Sequence, residues 1–404
     1  MPGPLDGIRI IDLTAMISGP LGSMILADQG ADVIKVENPK GGDHARGVAT
    51  RRGGFSSSFL NNNRNKRSVA LDLRTERGKE TLLKLYEDAD VIMQNFRPGV
   101  VERLGIGYEA AQAVNPDVIY ASMTGFGHEG PYAGKPVFDP LIQSLSGLTT
   151  VQATSDRERP RLIRTILPDK LTGFTVAQAI SAALIHKLRT GEGQHIRLSM
   201  LDTVVSFLWS SDMGGYTFVG DEVDPVEAQS FIDLIYETKD GYISVAAFRR
   251  VDWERLADAC EQPDWKTDSR FLTTPGLEEY KTDRLQITQE ALLERSSAEW
   301  LTRLDAHDVP CAPVLTRSEM IHHPQIEANG LVVERDHPEA GRLRQTRPAP
   351  IFEGSALEYR SGAPLLGGHT REVLMEAGLA ADEIEWLISQ GVAHEPKHDA
   401  EDAA

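Results

Sequence analysis

The 404 residues carry 42 lysines and arginines against 60 aspartates and glutamates, a formal net charge of −18, with 41% apolar and 25% charged side chains. That balance is one of a soluble globular protein, and the length predicts about two domains rather than one core. The acidic excess argues against a nucleic-acid surface, because a phosphate backbone needs a net positive face.

Over the first 130 residues short β-branched runs alternate with helical patterns, the signature of βαβ units around a parallel sheet. Strands are expected at Ile8 to Leu13, Val33 to Val36, Ser68 to Leu71, Val91 to Gln94 and Val118 to Ala121, all compact apolar runs suited to burial on both faces. A helix from Leu21 to Gln29 follows the start signal Gly19-Pro20 and stops at Gly30; another, Thr75 to Asp88, opens with a capping residue. Pro131 to Pro160 is rich in Gly, Pro, Ser and Thr and reads as loops and short helices crossing the open sheet, a place suited to binding. Lys170 to Arg189 is a long Ala-rich helix ended by Gly191, followed by a strand at Gln194 to Ser199 and a helix at Leu201 to Trp209.

A second domain is expected to open near Asp221, in an acidic stretch carrying Pro225. Its first element is a hairpin, Ile232 to Thr238 and Tyr242 to Phe248 around Lys239-Asp240-Gly241, with positive φ expected at the glycine. Helices follow at Asp252 to Glu261, Thr282 to Arg295 and Ser297 to His307; from Leu331 the chain is strand-like, then ends in helices at Thr370 to Ala377 and Asp382 to Gln390. The tail after His394 is polar and expected to be disordered. The division is therefore 1–220 for the large domain, 221–330 for a small α+β domain and 331–404 for the return to the large one.

No run of eighteen apolar residues occurs, and the opening Met1-Pro2-Gly3-Pro4-Leu5-Asp6 has neither the basic nor the apolar region of a signal peptide, so the expected location is the cytoplasm. Cys260 and Cys311 lack metal-ligand spacing and are read as reduced structural residues. Adjacent His322 and His323 point different ways on regular structure and have no third ligand at diagnostic spacing, so no metal site is expected. Basic residues bunch early, at Arg46, Arg51, Arg52, Arg64, Lys66, Arg67, Arg97 and Arg103. They make either one positive pocket on an acidic protein or ordinary solvated faces.

The first βα turn, Ile17-Ser18-Gly19-Pro20-Leu21-Gly22, lacks three spaced glycines, and Pro20 removes an amide, which argues against a dinucleotide. Asp169, in Leu167-Pro168-Asp169-Lys170-Leu171, precedes the Ala-rich helix. It can be a plain N-cap, contributing about 1 kcal/mol, or a carboxylate nucleophile kept anionic by the helix N-terminus. Position alone does not decide.

Ordered blocks across nearly the whole chain resemble the class III CoA-transferases, the CaiB/BaiF family: LDGIRIIDLT, GPLGSMILADQGADVIKVENPKGGDHAR, NRNKRSVALDL, ADVIMQNFRPGVVERLGIGYE, NPDVIYASMTGFGHEGPY, LPDKLTG, TGEGQHIRLSMLD and TKDGYISVAA. The resemblance implies a Rossmann-like large domain built from both chain ends, an inserted small domain that closes the site, and an interlocked homodimer. It implies that Asp169 is the nucleophile of an acyl-CoA:carboxylate CoA-transferase, with acyl-CoA and carboxylic acids as substrates and no permanently bound cofactor. It further implies CoA contacts at Met16, Ile17, Leu71, Leu73, Asn95, Phe96, Arg103 and Lys135.

Two departures matter. Ile17 stands where formyl-CoA transferase-like members have glutamine, and their glycine-rich loop is not evident here, which argues against oxalate specificity. Racemases of the fold carry a histidine before the aspartate in the block after GPY, whereas this chain has Val137-Phe138-Asp139. A racemase or isomerase, or a non-catalytic CoA-binding protein with Asp169 as a mere cap, are the alternative readings.

Overall fold

The computed structural model describes residues 2–48, 50–152, 159–222, 233–355, 357 and 359–396. Eight strands lie in the first half of the chain: β1 Arg9–Asp12, β2 Asp32–Glu37, the two-residue pair β3 Arg51–Arg52 and β4 Phe55–Ser56, β5 Lys66–Leu71, β6 Val91–Gln94, β7 Ile119–Thr124 and β8 His195–Ser199. Among the described residues nine α-helices accompany them: α1 Ser18–Asp28, α2 Ser57–Asn62, α3 Glu76–Tyr86, α4 Val100–Leu104, α5 Tyr108–Val114, α6 Asp139–Leu145, α7 Leu148–Val151, α8 Leu167–Thr190 and α9 Met200–Trp209. The helices at both chain ends begin or stop within a few residues of the expected bounds. Both α1 and α8 start three residues early; α1 starts at Ser18 and takes Gly19 and Pro20 into its first turn, where proline costs nothing because its missing N–H would have had no acceptor.

The strands pair in the order β14-β5-β2-β1-β6-β7-β8, where β14 is Ala393–His394. All pairs are parallel except β14 with β5. Period-two alternation explains why the strands look apolar throughout. Ile10, Val33, Val91 and Ile119 face α1 and α8, meeting Leu26, Ala27, Val176, Ile180 and Leu184. Their neighbours Ile11, Ile34, Ile92 and Tyr120 face the other layer, meeting Leu82, Leu85 and Tyr86 of α3 and Val373, Leu374, Ile384 and Leu387 of the C-terminal helices Thr370–Glu376 and Ala381–Ser389. Each such side chain contributes roughly 1.5–3 kcal/mol on burial. The mixed α/β architecture around a large, mostly parallel sheet is thus assembled from both ends of the chain.

The chain divides into two compact units, Met1–Ala228 with Leu331–Ala404, and Gln229–Gly330. The expected opening at residues 223–227 and the tail from 397 lie outside the described residues. In the smaller unit β9 Ile235–Glu237, β10 Tyr242–Val245 and β11 Cys311–Pro313 form an antiparallel sheet over a core containing Trp253, Leu256, Trp300 and Leu304. The hairpin turn departs from expectation: Gly241 does not adopt positive φ. The turn closes by a backbone bond, Thr238 N–H donating to Gly241 O at 2.9 Å, and by side chains, Gly241 N–H donating to Thr238 Oγ1 at 3.2 Å and Ser297 N–H to Asp240 Oδ1 at 2.7 Å. Beyond it the chain returns as the hairpin β12 Val332–His337 and β13 Gly341–Thr346. Both cysteines are free thiols. Among the described residues no helix is long and apolar enough to cross a membrane.

Candidate active site

Counted in chain order, the six parallel strands run 3-2-1-4-5-6, so the strand order reverses between β1 and β6. At such a reversal the loops leaving two adjacent strands diverge to opposite faces and open a crevice at the carboxyl ends, the usual ligand position in doubly wound folds. A cavity of about 180 Å³ lies there. It is lined by Met16 and Ser18 after β1, Asn95 to Pro98 after β6, Thr124 and Gly125 at the end of β7, Lys135 and Val137 to Asp139 before and into α6, and Asp169 in α8.

The loop after β1 is held from beneath by buried charge. Lys66 Nζ lies 3.1 Å from Asp12 Oδ2, and Lys35 Nζ lies 3.0 Å from Asp43 Oδ2, all four side chains essentially inaccessible. Lys35 also donates to Thr14 O at 2.7 Å, while Met16 N–H donates to Asp43 Oδ1 at 3.0 Å. Asn95 clamps the loop from the β6 side, accepting from Ala15 N–H at 2.9 Å and donating to Ala15 O at 2.8 Å. These bonds hold Met16 at φ +70°, a left-handed conformation that costs a non-glycine residue of order 1–3 kcal/mol. Burial opposes ionisation of Asp12, but Lys66 and Lys35 outweigh it and hold its carboxyl far below the usual range. Burial pulls Lys66 down to about 8.

Asp169 is not the N-cap that its sequence position suggested. Pro168 is accommodated inside the first turn, so α8 begins at Leu167 with Ile166 as its cap residue, and Asp169 stands in that same first turn with its side chain on the cavity wall. Close packing of α1 on α8 brings Ser18 to it. Gly22 and Gly173 make that approach possible: a Cβ on Gly22 would fall 2.5 Å from Val176 Cγ1, and one on Gly173 2.8 Å from Ser18 O.

A second carboxylate sits beside it. Asp139, 3% exposed, accepts the Asp169 N–H at 3.3 Å through Oδ2 and is itself oriented by Gln143 Nε2 at 2.7 Å on Oδ1. Burial, then the charge of Asp139, pushes the Asp169 carboxyl up to about 6, while the Ser18 hydroxyl and N–H restrain the rise. Burial likewise raises Asp139. At neutral pH Asp169 is therefore mostly anionic, yet desolvated and without a cation in ion-pair reach among the described residues. A carboxylate in that state is a better nucleophile than a solvated or salt-bridged one.

Of the other residues singled out in the sequence, Met16, Asn95, Phe96 and Lys135 line the cavity; Ile17, Leu71, Leu73 and Arg103 do not. Ile17 is 8% exposed as the cap residue of α1. Leu71 is 1% exposed on the β5 face that packs on α3, with Leu73 against the same core. Asn95 spends its amide on Ala15. Arg103 folds back over Gly99, its Nη1 3.0 Å from where a Cβ would stand, next to cavity-lining Pro98.

The early basic bunch is not one pocket: Arg51, Arg52, Arg97 and Arg103 are exposed, and the other four are held in separate ion pairs. Arg46 pairs with Glu37 at 2.7 Å, Arg64 with Asp28 at 2.6 Å and Arg67 with Asp32 at 2.6 Å, as Lys66 does with Asp12. Arg97 is the member that reaches the cavity. Together with Lys135, which lies 3.3 Å from the Tyr132 ring centroid, it has no ion-pair partner among the described residues. Ser18, Asp139 and Gln143 escaped sequence reasoning as site residues. Asp139 carried a signal, since it shares a short segment with Phe138, but the argument there concerned a missing histidine. His323 caps the helix Pro324–Ala328, Nδ1 accepting from Gln325 N–H at 3.2 Å.

The profile of CoA-transferase family III matches residues 5–370. The chain is 33% identical over 390 residues to the succinate–glutarate CoA-transferase of Agrobacterium fabrum, covering 92% of this chain and 95% of that protein. It is 34% identical over 403 residues to the succinyl-CoA:mesaconate CoA-transferase of Haloarcula hispanica, covering 93% and 97%. The crystal structure of a CaiB/BaiF family protein from Brucella suis superposes with a TM-score of 0.80 at 30% identity, covering 93% of this chain and all of that one. With a desolvated carboxylate at the crevice of the same fold, the conclusion follows that the chain belongs to CoA-transferase family III and is a class III CoA-transferase.

Proposed function

We propose that this enzyme moves coenzyme A between short dicarboxylic acids through a covalent intermediate on Asp169. The observation that carries the reading is the desolvated Asp169 carboxylate, facing the cavity beside Asp139 with no ion-pair partner among the described residues. An Asp169 oxygen attacks the donor thioester carbon, forming a mixed anhydride as the C–S bond breaks and CoA thiolate leaves. The thiolate then attacks the aspartyl carbonyl carbon, expelling the donor acid and leaving an aspartyl-CoA thioester. The acceptor carboxylate attacks that carbon, releasing the thiolate, which finally attacks the acceptor's acyl carbon and frees Asp169. No net proton is transferred.

The dicarboxylate assignment is supported by the names of the relatives and by Arg97 and Lys135. These are two cations without an ion-pair partner among the described residues, on the wall of a small cavity in a chain of charge −18, suited to a distal carboxylate by charge-assisted hydrogen bonds. Met16 and Phe96 offer apolar surface to the pantetheine arm, and Arg103, beside Pro98, offers a partner for a CoA phosphate. A homodimer completes the proposal. Phe174, Ile185 and Leu188 on α8 are 61%, 52% and 80% exposed, an apolar row better suited to a second copy than to water. Light scattering should give about twice 44.4 kDa; an active monomer at micromolar concentration overturns the dimer.

The test of the mechanism is a direct label. Incubation with succinyl-CoA followed by hydroxylamine should leave a hydroxamate on Asp169, located by peptide mass spectrometry. A label on another residue, or full transfer by Asp169→Ala, refutes the reading.

A further inference from the structure

The route proposed above makes the Asp169 side-chain carbon an electrophile twice, once when the thiolate enters and once when the acceptor carboxylate does. At both moments an oxygen that was a carboxylate oxygen of Asp169 becomes an oxyanion. Stabilising it requires donors already aimed at that oxygen, since a donor that must first reorient gains little.

Ser18 has that placement. It is the first residue of α1, an eleven-residue helix whose cap residue, Ile17, offers no side-chain cap, so the Ser18 N–H has no partner within the helix. It is 6% exposed, lines the same cavity as Asp169, and is pressed onto the first turns of α8 by the contact at Gly173. Its hydroxyl and N–H hold the Asp169 carboxyl down against the rise that burial and Asp139 cause. No other partner engages that hydroxyl among the described residues, unlike Ser23, which is bound to Asp12 at 2.6 Å. The positive end of the α1 dipole adds to the same effect.

We infer that Ser18 is a catalytic residue: its hydroxyl, with its N–H, forms the oxyanion site for the two steps in which the acylated Asp169 carbonyl is attacked. The inference rests on the covalent Asp169 reading. It separates the reaction into halves. When Asp169 attacks the donor, and when the thiolate attacks the acceptor's acyl carbon, the oxyanion lies on the substrate and Ser18 is not involved. When CoA sulfur adds to the aspartyl carbon, the carbonyl π electrons move onto the oxygen facing Ser18. Collapse then breaks the bond to the donor carboxylate. The acceptor step is the same with a C–S bond broken.

The experiment uses the full-length enzyme with succinyl-CoA alone, rapid acid quench and intact-mass analysis, which resolves a succinyl adduct from a CoA adduct. Ser18→Ala should form the CoA adduct roughly tenfold to a hundredfold more slowly than wild type, with the succinyl adduct formed at a near-normal rate and the KM for succinyl-CoA little changed. Its acidic pH limb should move upward, because the carboxylate loses a donor. Ser18→Thr, which restores the hydroxyl, should recover most of the rate. A CoA adduct formed by Ser18→Ala at the wild-type rate overturns the inference, as does a Ser18→Thr variant as slow as Ser18→Ala. Absence of either adduct from Asp169 in the wild type instead overturns the covalent reading itself.

Discussion

Buried charge is handled in opposite ways at two places in the larger unit. Beneath the loop after β1, Asp12, Lys35, Asp43 and Lys66 are each matched by an opposite charge within about 3 Å, and Glu37 and Arg46 extend the pairing. At the crevice, Asp169 and Asp139 are two like charges joined by a backbone N–H, with no cation between them. The first arrangement lowers the energy of ions that have lost their water; the second leaves part of that cost in place. Matched charge fixes a loop, and unmatched charge is available for reaction. The same chain needs both, because the strained turn at Met16 that borders the cavity is held by the matched set.

The largest test of this contrast is Asp169→Asn. Transfer should fall by at least a thousandfold, since the amide cannot attack a thioester, and circular dichroism should show an intact fold. Asp169→Ala and Asp169→Ser, which cannot revert by deamidation, should behave alike. Near-normal transfer by all three variants places the chemistry elsewhere. On the matched side, Lys66→Met leaves Asp12 buried without its nearest cation and should cost about 3–5 kcal/mol of stability. The replacement fills the space, so a loss below about 1 kcal/mol by denaturant titration means the pair is not what holds the loop.

The sequence made the sheet legible because strands buried on both faces have nothing but apolar residues to show, and Val91–Gln94 is found at its expected bounds. It made Asp169 legible as a nucleophile through the family blocks, whereas its position alone also offered a cap, because a proline next to an aspartate before a helical run looks like a boundary. What stayed hidden depends on contacts between distant segments. The partners of Arg64, Lys66 and Arg67 lie 36, 54 and 35 positions away, so a cluster of bases reads as one patch when each is aimed at a separate acid. Asp139 and Ser18 meet Asp169 only when α1, α6 and α8 converge, and no local pattern announces that. Strand β14, two residues long, is defined solely by its pairing with β5.

The two sites should also answer pH with opposite sign. Asp12 has a lowered carboxyl, so its contribution to stability is present above the ordinary aspartate range and is lost as pH falls below it. Asp169 is raised from 3.8 to about 6, so its protonated form is favoured by folding, and stability is lost as pH rises through that window. Asp169→Asn removes the penalty. The variant and the wild type should unfold alike near pH 4 and diverge above pH 6, the variant being more stable by about 1–3 kcal/mol. Thermal melts at several pH values measure this, and a variant less stable at pH 7 than at pH 4, relative to wild type, contradicts the assignment.

The smallest effect, and the one that isolates the like-charge contact, belongs to Asp139→Asn. Burial is the first cause of the raised Asp169 carboxyl and survives the substitution; the charge of Asp139 is the second and does not. The acidic limb of the transfer rate, set near 6 by ionisation of Asp169, should therefore move down but not reach the ordinary aspartate range. At pH 5.5 a larger fraction of the variant is anionic, so its activity relative to its own plateau should rise by about two- to threefold, and above pH 7.5 the limb no longer matters. The plateau itself tests the second role of Asp139, because Asn retains a carbonyl that can accept the Asp169 N–H at the same place. A limb that stays near 6 assigns the shift to burial alone, and the two carboxylates would then be neighbours without consequence.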